Sequence, residues 1–135
     1  MESKIKIRLP YEPKVAYRWE IKFSEESGFN PDFVVATDRP RLRRINNNVG
    51  FEPISITFID PVSPSVSQQL TKLIYDDFKF GYILSLVDPV GSVIEKWTIT
   101  ECRITELDFG GLDYSSDDLI KCKMVFIPNN VKLEY

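Results

Sequence analysis

The sequence contains no histidine, which removes much of the chemistry open to a small protein. Imidazole is the commonest general base near neutral pH and the commonest metal ligand, so a Ser–His–Asp or Cys–His relay within this chain is excluded. Carboxylates, two thiols and a run of arginines remain. Asp108, Asp113, Asp117 and Asp118 gather in one acidic stretch, DFGGLDYSSDD. Asp113, Ser115 and Asp117 have the alternate spacing that opens a calcium-binding loop. However, Asp118 stands where that loop needs glycine and Met124 where it needs glutamate. The stretch reads instead as an acidic, solvated turn. Gly110-Gly111 is a turn pair, because no strand–GxxxxGK–helix order surrounds it to cradle a phosphate. Cys102 and Cys122 each fall inside an alternating apolar pattern with no CxxC, so two free, buried, reduced thiols are expected, with no zinc, no other metal and no cofactor. An enzyme using carboxylates alone, such as a glycoside hydrolase, would need an opposed pair on rigid strands, and none stands out.

The basic run Arg39, Arg41, Arg43 and Arg44 admits three readings. It is a charged edge strand guarding against aggregation. Or it is a subunit contact, with guanidiniums meeting Asp113, Asp117 and Asp118 of a neighbouring chain in bidentate pairs. Or it is a DNA patch, which on a chain of net charge −3 would bind weakly and with strong salt dependence. Phe29 is a lone aromatic in the polar loop SEESGFNP. It folds back as a plug or inserts into a partner, and both readings stand.

The elements that must position these residues are mostly strands. With 135 residues, 43% of them hydrophobic and 13% aromatic, the sequence supports one domain, residues 1–135, with a substantial core. No apolar run reaches the ~18 residues of a membrane span, and no signal peptide is expected. Residues 1–14 form an N-terminal arm in which Lys4 to Leu9 alternate as a strand. Tyr17, Trp19, Ile21 and Phe23 alternate in a second strand, Phe33 to Thr37 form a third, and Arg41 to Ile45 form an edge ending in a turn at Asn46–Gly50. Residues 53–59 (PISITFI) are a strand with Ile54, Ile56 and Phe58 on one face. Ser63 as N-cap and Pro64 at the first helical position predict a helix over 64–78, its stripe formed by Val66, Leu70, Leu73 and Ile74. Long strands then fill 81–127: Gly81–Val87, a turn at Asp88–Gly91, Val93–Leu107, the acidic turn, and Leu119–Ile127. In the middle strand the alternation changes phase between Trp97/Ile99 and Cys102/Ile104, which predicts a β-bulge near Thr100 or Glu101. In the last strand Ile120, Cys122, Met124 and Phe126 are expected to face the core.

The order of FVVATDRP, then FEPISITFIDPVSPSVSQQLTKLI, then ITECRITELDFGGLDYSSDDLIKCKMVF resembles the tail tube proteins of contractile-tailed bacteriophages and their relatives in baseplate tube-initiating rings, pyocins and type VI secretion. The likeness spans about residues 15 to 127 and rests on several weak motifs in the right order. It implies a mainly β (α+β) fold: an antiparallel β-barrel or sandwich with one flanking helix. Six copies would form a ring, and rings would stack into a tube. The implied role is structural and non-catalytic, in a virion tail assembled in the host cytoplasm. The implied partners are further copies of the chain, sheath and baseplate proteins, and DNA passing through the lumen without specific binding; no membrane is involved. Lys96, Glu101 and Lys121 are then expected to face the channel or a neighbour. The connection from Phe78 to Gly81 is shorter than in longer tube proteins, so a single initiating or terminating ring stays open beside the main tube. A monomeric barrel binding a ligand or peptide in an apolar groove is the competing class.

Overall fold

The computed structural model describes residues 14–134; the expected strand Lys4–Leu9 and all but the last residue of the arm lie outside them. The strands are β1 (Trp19–Phe23), β2 (Val34–Thr37), β3 (Leu42–Ile45), β4 (Asn48–Phe51), β5 (Ile54–Ile59), β6 (Lys79–Val87), β7 (Val93–Asp108), β8 (Lys121–Ile127) and β9 (Asn130–Glu134), with one helix, α1 (Val66–Tyr75). Seven of them form one antiparallel sheet in the order β1-β6-β7-β8-β5-β2, with β9 continuing the line of β8 along β7. β3 and β4 form a separate two-stranded ribbon.

The sheet is strongly curled. β1 and β5 are four strand spacings apart in the sheet, which in a flat sheet would separate them by about 19 Å. Their rings nevertheless meet: Phe23 and Phe58 stack with centroids 6.2 Å apart. One face of β1, β5, β6, β7 and β8 therefore lines a single core, and the alternating residues Ile54, Ile56, Phe58 and Cys122, Met124, Phe126 all point into it. The expected mainly β architecture with one flanking helix is present.

Among the described residues, four register shifts interrupt the ladders, between Val34/Ala36, Phe80/Tyr82, Leu86/Val87 and Ile104/Glu106, and such bulges bend and twist a sheet. Phe80 pairs with Cys102 and Tyr82 with Ile99, so Gly81 alone opposes Thr100 and Glu101. Glu101 takes the extra position with φ 54°, and this is the bulge that the phase change in the sequence predicts. Gly81 suits the site because a Cβ there would sit 3.3 Å from the Ile99 carbonyl oxygen. Another of these shifts, at Thr105, falls between the Ile104↔Phe126 and Glu106↔Val125 pairs.

The helix is shorter than expected, Val66–Tyr75 in place of 64–78. Its N-cap is Ser65, whose hydroxyl accepts from Gln68 N at 3.3 Å, while Asp60 Oδ1 accepts from Val66 N at 2.9 Å and Ser67 N at 3.2 Å. Ser63 and Pro64 precede the helix and are joined by a cis peptide. At the other end Phe78 N donates to Leu73 O at 3.1 Å and Asp77 N to Ile74 O at 3.2 Å, with Asp77 at φ 52°. This is a Schellman motif built on aspartate where glycine is usual, so the stop at Tyr75 has no glycine to announce it. Ser65→Ala should cost about 1 kcal/mol in urea unfolding, whereas Ser63→Ala should change stability by less than about 0.5 kcal/mol.

Other boundaries move by a few residues. The turn expected over Asn46–Gly50 is a two-residue connection, Asn46-Asn47, with Asn46 at φ 57°, and Asn48–Phe51 are a strand. β8 starts at Lys121, so Leu119 and Ile120 belong to the preceding loop and are exposed. β9 has no counterpart in the sequence reading. Among the described residues, no helix is long and apolar enough to cross a membrane.

Candidate assembly surface

The curled sheet has a gap between β1 and β2, and the loop 24–33 fills it. Phe29 enters the core with 7% exposure, and its ring lies 5.0 Å from Phe23, 5.5 Å from Phe58 and 5.3 Å from Phe80. Of its two readings, plug and insertion into a partner, the isolated chain shows the ring held as a plug in the apolar gap. Gln69 Nε2, from the helix, donates to Ser27 O at 3.0 Å and holds this loop in place. Six aromatic rings, those of Phe23, Phe29, Phe58, Phe80, Tyr82 and Phe126, touch one another inside. The interior is filled by packed side chains.

The remaining buried chemistry is structural. Burial pushes the Cys102 thiol up to about 12, with the charge of Glu101 adding to it. Burial, with the neighbouring Asp60, pushes Cys122 up to about 11. Both thiols are free and buried, and both stay protonated near neutral pH, which makes them inert nucleophiles. Although β7 and β8 pair, the register places Cys102 beyond the Arg103↔Ile127 pair and Cys122 beyond the Asp108↔Lys123 pair, at opposite ends of the ladder. Among the described residues, no group of three or more His, Cys, Asp or Glu side chains could hold a metal ion.

Sequence reasoning missed Glu95, the one buried carboxylate among the described residues, at 2% exposure. Lys14 Nζ and Trp97 Nε1 donate to it, and Arg39 Nη1 lies 3.1 Å from both its oxygens. Arg39, expected at a subunit contact, thus spends its guanidinium within its own chain. Burial raises the Glu95 pKa, but the hydrogen bonds from Lys14, Trp97 and Arg39, with the Arg39 charge, outweigh this and hold the carboxyl below its ordinary range. A glutamate at an alternating inward position of a strand was the available signal, since such a residue needs cationic partners.

The Arg39 anchor sits at the base of the β3–β4 ribbon. Ser55 Oγ donates to Asp38 Oδ2 at 3.2 Å, Thr37 Oγ1 to Ser55 O at 3.1 Å, and Glu52 N to Arg41 O at 3.0 Å. Beyond this base, among the described residues, the ribbon pairs with no third strand. Its register puts Leu42, Arg44, Val49 and Phe51 on one face and Arg41, Arg43, Ile45 and Glu52 on the other. Leu42, Ile45 and Val49 are each more than half exposed, and Arg43 meets Glu52 at 3.3 Å across the exposed face.

The acidic loop, residues 109–120, is the other protruding feature. Phe109, Leu112, Tyr114, Leu119 and Ile120 are all exposed. Asp113 Oδ1 accepts from Ser115 N at 3.0 Å and Ser115 Oγ at 2.8 Å, and the Ser115 backbone N–H, then its hydroxyl, hold the Asp113 carboxyl below its ordinary range. Asp117 and Asp118 are exposed on the same loop. An open groove of about 650 Å³ runs between Phe109 and Leu112 on one side and Ser67, Thr71 and Lys72 of the helix on the other. Among the described residues, none of the observed ion pairs joins a loop aspartate to a ribbon arginine. Lys96, Glu101 and Lys121 all lie away from the core: Lys96 reaches Glu134 at 3.6 Å, Glu101 occupies the bulge, and Lys121 opens β8.

No protein-family model matches the sequence, and neither does any curated protein. Solved structures do match. A chain in the 6-fold symmetrised baseplate of the anti-feeding prophage has 12% identity and a TM-score of 0.68 over 92% of this chain and 97% of its own. A chain in the sheath–tube complex of the extracellular contractile injection system PVC, in its extended state, has 16% identity and a TM-score of 0.63 over 90% and 91%. A chain in the tube-terminating cap of the anti-feeding prophage has 13% identity and a TM-score of 0.61 over 99% of both. Likeness at this identity is a statement about fold, and it covers nearly the whole length on both sides. The chain has the contractile-tail tube-like fold.

Proposed function

We propose that this chain is a structural, non-catalytic subunit of a contractile tail tube. Six copies close into a ring, and rings stack around a channel through which DNA passes from a virion whose tail is assembled in the host cytoplasm. One observation carries the reading: a near full-length fold likeness to chains in structures of a sheath–tube complex, a baseplate and a tube-terminating cap. The fold's open surfaces support it. Among the described residues β1, β2 and β9 each pair on one side only, and such edges are hazards unless another chain covers them. The ribbon is a second such element, because an isolated two-stranded hairpin is marginal in water without a packing partner. Sheath and baseplate proteins are the expected outer partners. The outward face carrying Lys96, Glu101 and Lys121 is assigned to the channel or to a neighbouring subunit. A net charge of −3 per chain is compatible with a lumen through which DNA slides.

A single initiating or terminating ring of the same fold is the second reading, favoured by the likeness to the baseplate and cap chains. Negative-stain microscopy of the purified protein, alone and with a tube-nucleating baseplate, tests both. Rings extending into tubes support the first reading. Rings that stop at one layer, with six copies per particle, support the second. A chain that stays monomeric under both conditions overturns both.

A further inference from the structure

Charge is segregated along this chain. Residues 39–51 hold four arginines and no acid, whereas residues 108–120 hold four aspartates and no base. Both segments also expose large apolar side chains, Leu42, Ile45 and Val49 on the ribbon and Leu112, Tyr114 and Leu119 on the loop. The topology keeps them apart. β5 pairs with β8 from Ile54↔Phe126 to Ile59↔Lys121. The ribbon enters this ladder at its Ile54 end. The loop leaves it at the Ile59 end, where Asp60 N donates to Ile120 O at 3.0 Å. The ladder is about 17 Å long at a strand's usual rise. Two complementary surfaces at opposite ends of one rigid ladder are poorly placed to satisfy each other within a chain.

We infer that the β3–β4 ribbon of one copy docks on the 109–120 loop of the next copy along the tube, a head-to-tail contact that rests on the tube-subunit reading. Such a contact is heterologous: each copy offers one surface and receives the other, and the result is an open-ended stack. Arg41, Arg43 and Arg44 face Asp117, Asp118 and the outer oxygen of Asp113. The Arg43–Glu52 pair is exposed, and a pair of that kind exchanges partners at small cost. The loop straddles the ribbon: Leu42 and Val49, on the face shared with Arg44, cover Leu112 and Tyr114, while Arg41 and Arg43 reach the acidic residues from the other face, giving the contact an apolar centre inside a charged rim. Stacking is then weakened by salt, which screens the rim.

The test uses the full chain and scores rings and stacks separately by electron microscopy and sedimentation. The triple variant R41E/R43E/R44E and the triple variant D113K/D117K/D118K should each form rings that do not stack, and the chain carrying all six reversals should stack again. Stacking by both triple variants overturns the contact and leaves the tube reading intact. Wild-type chains that form no rings, alone or on a tube-nucleating baseplate, overturn both, and wild-type rings that never stack overturn the contact and move the proposed function to its single-ring reading. Cross-linking guards against variants that misfold. In L42C/L112C, oxidation should give a ladder of covalent multimers from assembled material and none from either single variant. Stacked L42C/L112C that stays monomeric after oxidation overturns the contact.

Discussion

Glu95→Ala is expected to lower the stability of the isolated chain by about 2–3 kcal/mol, a large share of the 5–15 kcal/mol typical of a domain. The carboxylate gathers Lys14, Arg39 and Trp97, which stand far apart in sequence, so its loss orphans three donors at once. Breaking a fully buried ion pair costs about 3–5 kcal/mol. The side chains of Lys14 and Arg39 are 50% and 55% exposed and can turn to water, so the lower figure applies. The effect depends on pH with a definite sign. The native carboxyl titrates below its ordinary range, so the unfolded chain binds the proton more readily. The stabilisation is complete above the unfolded value near ~4.3 and is lost as pH falls through the folded value. Urea unfolding of wild type and Glu95→Ala should therefore differ most near neutral pH and converge in acid. A difference that widens as pH falls would mean that the carboxyl is held neutral in the fold, contrary to its three donors. Arg39 leads into the ribbon, so amide exchange over residues 38–41 should quicken in the variant.

The core was legible wherever one strand face is buried and the other wet. Ile54, Ile56 and Phe58 alternate with Ser55 and Thr57, and a period of two has one structural meaning. The bulge at Glu101 was legible for the same reason, because a single extra residue is the only way to shift parity within a continuous strand. Ends were less legible. The helix stops on Asp77 in the left-handed region, a conformation that the sequence advertises only when glycine occupies it. Its start was placed two residues early because Ser63, Pro64 and Ser65 all suit a helix N-terminus, and only the side-chain bond from Ser65 to Gln68 N decides between them. β9 was missed because Lys132 and Glu134 face water and leave too weak an alternation to read without the β7 partner.

At the candidate surface the sequence distinguished charge from neutrality but not inside from outside. Arg39 and Arg41 stand two residues apart, yet Arg39 reaches a buried carboxylate across the barrel while Arg41 lies on an exposed ribbon. That difference comes from Glu95, fifty-six residues away, and no local pattern carries it. The loop aspartates were legible as a solvated turn, and Asp113 does cap its own turn. Whether such a loop meets another copy is a property of the assembly, which a single chain's periodicity does not encode.

Phe29→Ala should cost about 3–4 kcal/mol in the isolated chain, measured by urea unfolding under dilute conditions where no rings form. The ring is 7% exposed and contacts rings from three strands, β1, β5 and β6, so truncation opens a cavity among groups that the curled backbone cannot easily close. The edge-to-face contacts with Phe23 and Phe80 add about 0.5–1.5 kcal/mol each beyond area burial, which places the cost within the usual range for a buried aromatic rather than at its foot. Phe29→Leu, which keeps most of the apolar volume, should recover more than half of the loss. The two readings of this residue predict opposite patterns. An aromatic that inserts into a partner leaves the lone chain's unfolding midpoint almost unchanged when truncated and abolishes assembly. A plug lowers the midpoint sharply, and assembly falls only as far as the folded population falls. Normal stability with lost assembly would restore Phe29 to the interface, and the gap between β1 and β2 would then need another seal.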